Sequence, residues 1–383
     1  MPYKIKNPTL PDSVNETMTD DIIYMKRALV LARKGEGKVS PNPMVGAVIV
    51  KNGKVIGEGY HKLYGGNHAE VNAISSSTEP LDGTDIYISL EPCSHYGKTP
   101  PCVERIIAIK PARVIIGVLD PNPLVAGQGL AALKAAGIKT EVGILEAECR
   151  RLNEKFFTFM ERKRPFVTIK FAQTIDGRIA SAGGESKWIS SYASRRFAHR
   201  LRSLHDGVLV GIGTVYHDDP ELTVRLVQGR NPLRLVVDPH LRIDASAQVL
   251  SNQHLARTIL IASPDSLHSK REILNKQGIE ILDIQKEINE MGLDLKQLLF
   301  ELGSRGISSV LVEGGSGMIT SFLKSGLVDR LFIVTAPRIL GHGIESIGNL
   351  GIDKIENAVS LDIDNVRRSG GDIIVNARVR KNS

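Results

Sequence analysis

The chain has 383 residues, with 49 Lys plus Arg against 42 Asp plus Glu and a formal charge of +7. At roughly 100–200 residues per domain, that length suggests two domains with room for a core in each. A composition of 42% hydrophobic and 24% charged residues excludes a disordered or fibrous chain, and the longest apolar runs, such as Val45-Gly46-Ala47-Val48-Ile49-Val50, are core strands rather than membrane spans.

Residues 1–19 read as a polar lead-in, without the apolar stretch of a signal peptide. Three cysteines are too few for a disulfide framework, so a cytoplasmic, reducing setting is expected. From Asp20, a candidate N-cap, the spacing of Ile22, Met25, Ala28, Leu29 and Ala32 predicts an amphipathic helix. GKVSPNPMVGAVIV is a Pro-rich turn feeding a buried strand, and Asn52-Gly53 predicts a hairpin turn into Val55-Ile56-Gly57. A helix is expected near His68, a strand over 85–90, a short helix over 103–108 and a strand over 113–118. The segment EAECRRLNEKFFTFMERKRP then marks the boundary between a domain over 20–150 and a second over 165–380. Beyond it strands are predicted over 166–172, 207–211, 233–238, 258–262, 280–284, 309–313 and 330–335. Helices are predicted over 191–204, over 293–302 and after Gly314-Gly315. The alternation makes the whole chain α/β and implies a largely parallel, helix-covered sheet in the second half.

Three soft donors fall in one short span: His68 in His68-Ala69-Glu70, and Cys93 and Cys102 in EPCSHYGKTPPC. Two thiolates and one imidazole leave a fourth tetrahedral position for water, the pattern of a catalytic zinc rather than a closed structural one. Pro100-Pro101 before Cys102 is a helix-start signal, and a cysteine there feels the positive helix end, which favours the thiolate. Asn67 is the candidate N-cap of the preceding helix, which puts His68 and Glu70 in its first turn. Glu70 then lies beside the metal without ligating it, placed to move a proton between water and a leaving amine. Taken singly, a His and two Cys are ordinary core or surface residues. Together, in this order, they form the zinc-deaminase signature. Cys149 stands apart as a free thiol.

These residues resemble the cytidine-deaminase superfamily. The longer form EPCSHYGKTPPC, with GKVSPNPMVGAVIV upstream, resembles the deaminase half of the bifunctional riboflavin-biosynthesis deaminase/reductases. Nucleobase and tRNA deaminases usually hold their two cysteines two residues apart; here eight residues intervene, including His95 and Lys98. By this resemblance Asn42, His95 and Lys98 are substrate contacts, with His61 and Asn122 as weaker candidates. Asn42 between two prolines suits plain turn chemistry equally well.

The second half has no G-x-G-x-x-G after a strand and no P-loop. VLVEGGSGMITSFL instead runs a strand into two glycines and a helix start, whose backbone N–H groups suit a phosphate cradle, although two glycines at a strand end also suit a plain turn. FAQTIDGRIA, GGESKWIS and RLRSLHDGVLVGIGTVYHDDPELTVR surround it in order, and together they resemble the reductase half of the same family, which has a dihydrofolate-reductase-like fold and uses NADPH. The resemblance implies Ala172, Trp188, Thr214, Asp218 and Pro239 along the cofactor, with Gly315, Ser316, Gly317, Met318, Ile319, Thr320 and Ser321 around its phosphates. It implies Ser186, Arg202, Leu222, Arg225 and Glu313 on the substrate; the sequence offers no obvious general acid for the reduction, for which Glu313 and Asp218 are the candidates. Arg202 and Arg225 suit a ribose phosphate, which guanidinium grips bidentately. Two departures stand out: Thr174 where the family often has Ser, and Pro239 where it often has a polar residue, which leaves only a backbone contact there.

The expectation is therefore one enzyme with an N-terminal cytidine-deaminase-like zinc domain and a C-terminal dihydrofolate-reductase-like domain. It carries one Zn2+ per deaminase domain and binds NADPH. It deaminates a phosphorylated pyrimidine and then reduces the ribosyl group to ribityl, with no nucleic-acid or membrane partner, as a homo-oligomer. The alternative is a nucleobase or tRNA deaminase with an appended non-catalytic domain, favoured by the positive charge. The wide cysteine spacing and the low aromatic content of 5% speak against it.

Overall fold

A computed structural model describes residues 20–95, 100–123, 125–287 and 292–380. Its internal contacts divide the chain into two units. The first holds the described residues up to Gly35 and from Met44 to Leu152; the second holds Glu36–Pro43 and the chain from Asn153 onward. The helical stretch expected around the boundary is therefore two helices, one in each unit.

In the first unit, helix α1 (Asp20–Arg33) buries Met25, Ala28, Leu29, Leu31 and Ala32, the face its spacing predicts. Asp20 is the first helical residue rather than a described cap. Strand β1 (Gly46–Lys51) turns through Asn52 and Gly53 into β2 (Lys54–Tyr60). Both turn residues have positive φ, 50° and 75°, the requirement that selects Asn-Gly at such a hairpin. Helix α2 (Ala69–Ser75), β3 (Asp85–Ile88), α3 (Cys102–Ala108), β4 (Arg113–Ile116), α4 (Gln128–Ala135), β5 (Lys139–Val142) and α5 (Glu146–Leu152) follow. The sheet order is β2-β1-β3-β4-β5, antiparallel on the hairpin side and parallel from β3 to β5. One face carries Ala47, Ile49, Ile86, Ile88, Val114 and Ile116 against α2, α3 and α4, while α1 covers β1–β3 on the other. Period-2 strands with apolar residues on both faces need helices on both sides, and they have them.

The second unit begins with α6 (Glu154–Arg162), then β6 (Phe166–Thr174), β7 (Arg178–Ser181), α7 (Tyr192–Ser203), β8 (Gly207–Gly211), α8 (Ile212–Asp218) and β9 (Leu233–Val237). It continues with β10 (Thr258–Ala262), α9 (His268–Lys276), β11 (Glu280–Asp283), α10 (Leu295–Ser304), β12 (Ser309–Val312) and α11 (Ser316–Lys324). Strands β13 (Arg330–Ala336), β14 (Gly343–Glu345), β15 (Leu361–Ser369) and β16 (Asp372–Val379) complete it. The main sheet has nine strands in the order β11-β10-β9-β8-β12-β6-β13-β16-β15; β7 and β14 form a separate pair. All pairings from β11 to β13 are parallel, as the alternation predicts. The antiparallel edge β16-β15 is an addition that the alternation did not contain. One sheet face is packed by α10 and α11 through Leu298, Leu299, Leu302, Ile319 and Phe322. The carboxyl ends of the parallel strands are left open, which is where such sheets bind ligands.

Candidate functional sites

In the first unit, two glycines set the geometry. A Cβ on Gly59 would lie 2.2 Å from the Ala69 carbonyl oxygen, and one on Gly57 would lie 2.6 Å from that of Ala73. With hydrogens only on that face of β2, α2 lies directly against the strand backbone. Its cap is His68 itself, with extended φ/ψ of −70°/167° and no side-chain capping bond. Asn67, the expected cap, instead accepts on its carbonyl from His61 Nδ1 at 3.1 Å and Asn72 Nδ2 at 3.2 Å. The His68 ring is thereby left for other partners.

Those partners are the two cysteines. His68 Nδ1 lies 3.2 Å from Cys102 Sγ and 3.5 Å from Cys93 Sγ, and the three donor atoms all lie within 4.8 Å of one another. A tetrahedral zinc with bonds of about 2.0–2.3 Å sets its donors roughly 3.3–3.8 Å apart, so the donor set and spacing fit that ion. Cys102 opens α3 behind Pro101, as expected. The helix end, however, serves Cys93: the Cys102 N–H donates to Cys93 Sγ at 3.3 Å and the Val103 N–H to the Cys93 carbonyl at 3.2 Å. Cys93 is accordingly the thiol held low, chiefly by the Cys102 S–H, with His68 adding to it. Cys102 is held high as the donor of that pair.

Glu70, one helical position beyond Ala69, is 4% exposed. Burial, and then the Cys93 charge, push its carboxyl up to about 7. An acid poised near neutrality beside a metal-ligand cluster can both take and give a proton. Glu91 is a residue the sequence reasoning missed. Its buried carboxylate accepts the backbone N–H groups of Asp120, Gly127 and Leu130 at 3.0–3.1 Å, tying that loop to the segment that carries Cys93. The only signal was an acidic residue directly before Pro-Cys.

The substrate-side candidates of this unit are less gathered. His95 is exposed, and Lys98 lies outside the described residues. Asn42 belongs to the segment that groups with the second unit, and its backbone N–H closes a turn on the Val39 carbonyl at 2.8 Å. Asn122 caps a turn whose Val125 and Ala126 N–H groups donate to its carbonyl.

The second unit holds a cleft of about 1260 Å³ at the carboxyl ends of its parallel strands. Every cofactor-side candidate of this unit lines it except Ile319 and Thr320, and all five substrate-side candidates line it. Ile319 is fully buried in the core, and the Thr320 hydroxyl is tied to the Ser316 carbonyl and the Gly348 N–H. Gly315 caps α11, and its N–H donates to Thr214 Oγ1 at 3.1 Å, which joins two of the expected cofactor contacts. A Cβ on Gly314 would lie 2.6 Å from Met318 Cβ, so that glycine lets the helix start abut β12. Asp218 accepts from the Ser186 hydroxyl at 2.9 Å. Trp188, the only Trp, is 60% exposed with the Arg195 guanidinium 4.3 Å from its ring centroid. The Pro239 carbonyl already accepts from Ser263 N–H at 3.0 Å.

The polar floor of the cleft is tied together by hydrogen bonds. Arg202 is committed inside the protein: Nε and Nη2 donate to Glu313 at 2.7 and 3.1 Å, and Nη1 to the Thr223 carbonyl at 3.1 Å. Arg225 is the more open cation, ion-paired with Glu221. Burial alone would raise the Glu313 carboxyl, but Arg202 and Lys170 hold it below its ordinary value. Arg202 and Lys170 thus favour the ionised form of the Glu313 carboxyl. Lys170 and His199 also line the cleft, and sequence reasoning missed both. Lys170 was legible as the one charge in the apolar strand FVTIKFA, and His199 as a partner one helical turn before Arg202.

Among the described residues no helix is long and apolar enough to cross a membrane. The family model of the RibD C-terminal domain matches residues 165–375, and that of the cytidine and deoxycytidylate deaminase zinc-binding region matches residues 18–118. The riboflavin biosynthesis protein RibD of Aquifex aeolicus is 45% identical over 353 residues, covering 92% of this chain and 96% of that protein. The Escherichia coli protein of the same description is 36% identical over 367 residues, covering 92% and 98%. Among solved structures, Acinetobacter baumannii RibD superposes with a TM-score of 0.85 at 34% identity, over 94% of this chain and 99% of that one. A Thermotoga maritima diaminohydroxyphosphoribosylaminopyrimidine deaminase/5-amino-6-(5-phosphoribosylamino)uracil reductase gives 0.81 at 37% identity, over 94% and 99%.

Proposed function

The chain belongs to the RibD family, and on that premise we propose how its residues divide two successive steps of riboflavin biosynthesis. The enzyme is a zinc-dependent deaminase in its first unit and an NADPH-dependent reductase in its second. It deaminates diaminohydroxyphosphoribosylaminopyrimidine and reduces 5-amino-6-(5-phosphoribosylamino)uracil at the ribosyl group to a ribityl chain. A nucleobase or tRNA deaminase with a non-catalytic appendage is not favoured, because residues 165–375 match the reductase domain itself.

The observation that carries the deaminase assignment is the convergence of His68, Cys93 and Cys102 with the buried Glu70 beside them. In this reading those three residues hold zinc. Zinc, when bound, supplies the Lewis acidity that activates water against the amine-bearing ring carbon. Glu70 accepts the proton of that water and returns it to the departing amine, which leaves as ammonia. Asn42, His95 and Lys98 are assigned to the ring and phosphate of the substrate.

In the second unit Gly315, Ser316, Gly317, Met318 and Ser321 at the start of α11, together with Ala172, Trp188, Thr214, Asp218 and Pro239, are assigned to NADPH, which supplies the hydride when bound. Trp188, being exposed in the cleft, offers a flat face for a ring. Ser186, Leu222 and Glu313 are assigned to the ribosyl substrate, with the ionised Glu313 accepting from its hydroxyls. Arg225 takes the lead at the phosphate, since Arg202 is already spent on Glu313.

A homo-oligomer accompanies this reading: β15, at the edge of the sheet, exposes Ile363 and Val366, 64% and 58% accessible. A cytoplasmic setting suits cysteines that must stay reduced to bind metal. The test of the deaminase assignment is Glu70→Gln: zinc stays near one equivalent per chain while ammonia release falls by about a hundredfold or more. Retained ammonia release rejects the role of Glu70.

A further inference from the structure

His199 lies on α7 one turn before Arg202, is 7% exposed, and lines the reductase cleft. Among the described residues its ring has one hydrogen bond, the Arg225 backbone N–H donating to Nδ1 at 3.0 Å. A nitrogen that accepts carries no proton, so the neutral ring holds its hydrogen on Nε2. Among the described residues no partner is found for Nε2, and the ring lines the cleft.

The charges acting on the ring include Arg202, Arg225 and Lys170, opposed by the Glu313 carboxylate. Burial first, then Arg202, push the imidazole down to about 4, so at neutral pH the ring is an uncharged donor. That is an unusual role for a histidine among cations. Arg202 cannot turn outward without abandoning Glu313, and Arg225 is held at one end by Glu221. An N–H on a ring whose other nitrogen is fixed by the Arg225 main chain adds geometry that the two guanidiniums do not supply.

We propose that His199 is a specificity-determining residue of the reductase cleft, with Nδ1 holding the Arg225 main chain in place and Nε2–H donated to a phosphate oxygen of the substrate. It rests on the reading of this cleft as the site of the phosphorylated ribosyl substrate. Its consequence is discrimination between phosphorylated and dephosphorylated forms of that substrate. One hydrogen bond to a charged group accounts for about a tenfold to hundredfold difference.

The experiment measures NADPH oxidation with deaminated substrate, phosphorylated and dephosphorylated, for wild type, His199→Ala, His199→Gln and Arg225→Gln. His199→Ala should raise KM for the phosphorylated substrate about tenfold to a hundredfold, with kcat and the KM for NADPH within about threefold of wild type. The dephosphorylated substrate should barely distinguish wild type from His199→Ala, and His199→Gln, which keeps an N–H donor, should recover much of the loss. An equal loss on both substrates, or a loss confined to kcat, overturns the proposal. If Arg225→Gln shows no phosphate-dependent change in KM, the underlying reading of the cleft fails; if it does and His199→Ala does not, only the role of His199 falls. Should His199→Ala fail to fold, 15N-labelled histidine in the wild-type protein gives the answer. Ribose 5-phosphate should move the His199 Nε2–H resonance while ribose leaves it in place, and an unmoved resonance, or a ring protonated on Nδ1, overturns the proposal.

Discussion

Arg202 and Glu313 meet as a fork on a fork, with Nε on one carboxylate oxygen at 2.7 Å and Nη2 on the other at 3.1 Å. Both side chains are nearly withdrawn from water, at 13% and 9% exposure, and they join α7 to the residue that follows β12. The pair therefore does structural work in the cleft and leaves Arg225 as the cation open to an anionic ligand.

Removing one member of such a pair strands the other. Arg202→Ala should cost about 3–5 kcal/mol of unfolding free energy, because the Glu313 carboxylate stays buried without its partner. Arg225→Ala, at a half-exposed ion pair, should cost about 1 kcal/mol or less. Urea unfolding followed by the fluorescence of Trp188 reads the second unit alone, since no other Trp is present. Equal costs for the two variants would show that the pair is not the anchor its geometry implies.

Gly59→Ala places a methyl carbon 2.2 Å from the Ala69 carbonyl oxygen, a backbone atom that cannot rotate away. The helix carrying His68 and Glu70 must then move off β2. The expected result is a loss of about 1–3 kcal/mol in the first unit, weaker zinc retention and slower ammonia release, with NADPH oxidation of deaminated substrate unchanged. Full zinc retention and full deaminase turnover would contradict the close-packing account.

The histidine of the cleft makes a pH prediction. Its folded value of about 4 lies below the ordinary 6.5, chiefly through burial. Between those two values the unfolded chain binds a proton that the folded chain does not, so unfolding free energy from this residue rises with pH across the window and is lost on acidification. The full span is at most about 3 kcal/mol, and less where cleft water screens the ring. His199→Gln should flatten that part of the profile, and parallel profiles for the two proteins would show that the ring protonates normally.

Local chemistry was legible where it is self-contained. Asn52-Gly53 dictates its own positive φ values, and the α1 spacing dictates its own buried face. The metal donors were legible because a His-x-Glu and two cysteines are rare together. What was hidden depends on distant backbone. Nothing in a single-residue pattern shows that Gly59 is small to admit α2, that Asn67 is occupied by His61 and yields the cap to His68, or that Arg202 is committed to Glu313 111 positions away. Strands β15 and β16 escaped because the first, LDIDNVRRS, is mostly exposed and lacks a clear apolar alternation.

Metal removal separates the two units. Stripping zinc with a chelator should abolish ammonia release and leave NADPH oxidation with pre-deaminated substrate within about twofold of the untreated enzyme. Parallel loss of both activities would mean that the reductase cleft depends on the metal centre.

The central claim is that one chain deaminates first and reduces second. The most direct measurement is NADPH oxidation by the intact chain, wild type and Glu70→Gln, given either the diamino substrate or its deaminated product. The wild type should oxidise NADPH with both substrates, releasing ammonia before NADPH is consumed when it starts from the diamino form. Glu70→Gln should oxidise NADPH only with the deaminated substrate. Undiminished NADPH oxidation by Glu70→Gln on the diamino substrate would contradict the account, because reduction would then not wait for the chemistry of the zinc site.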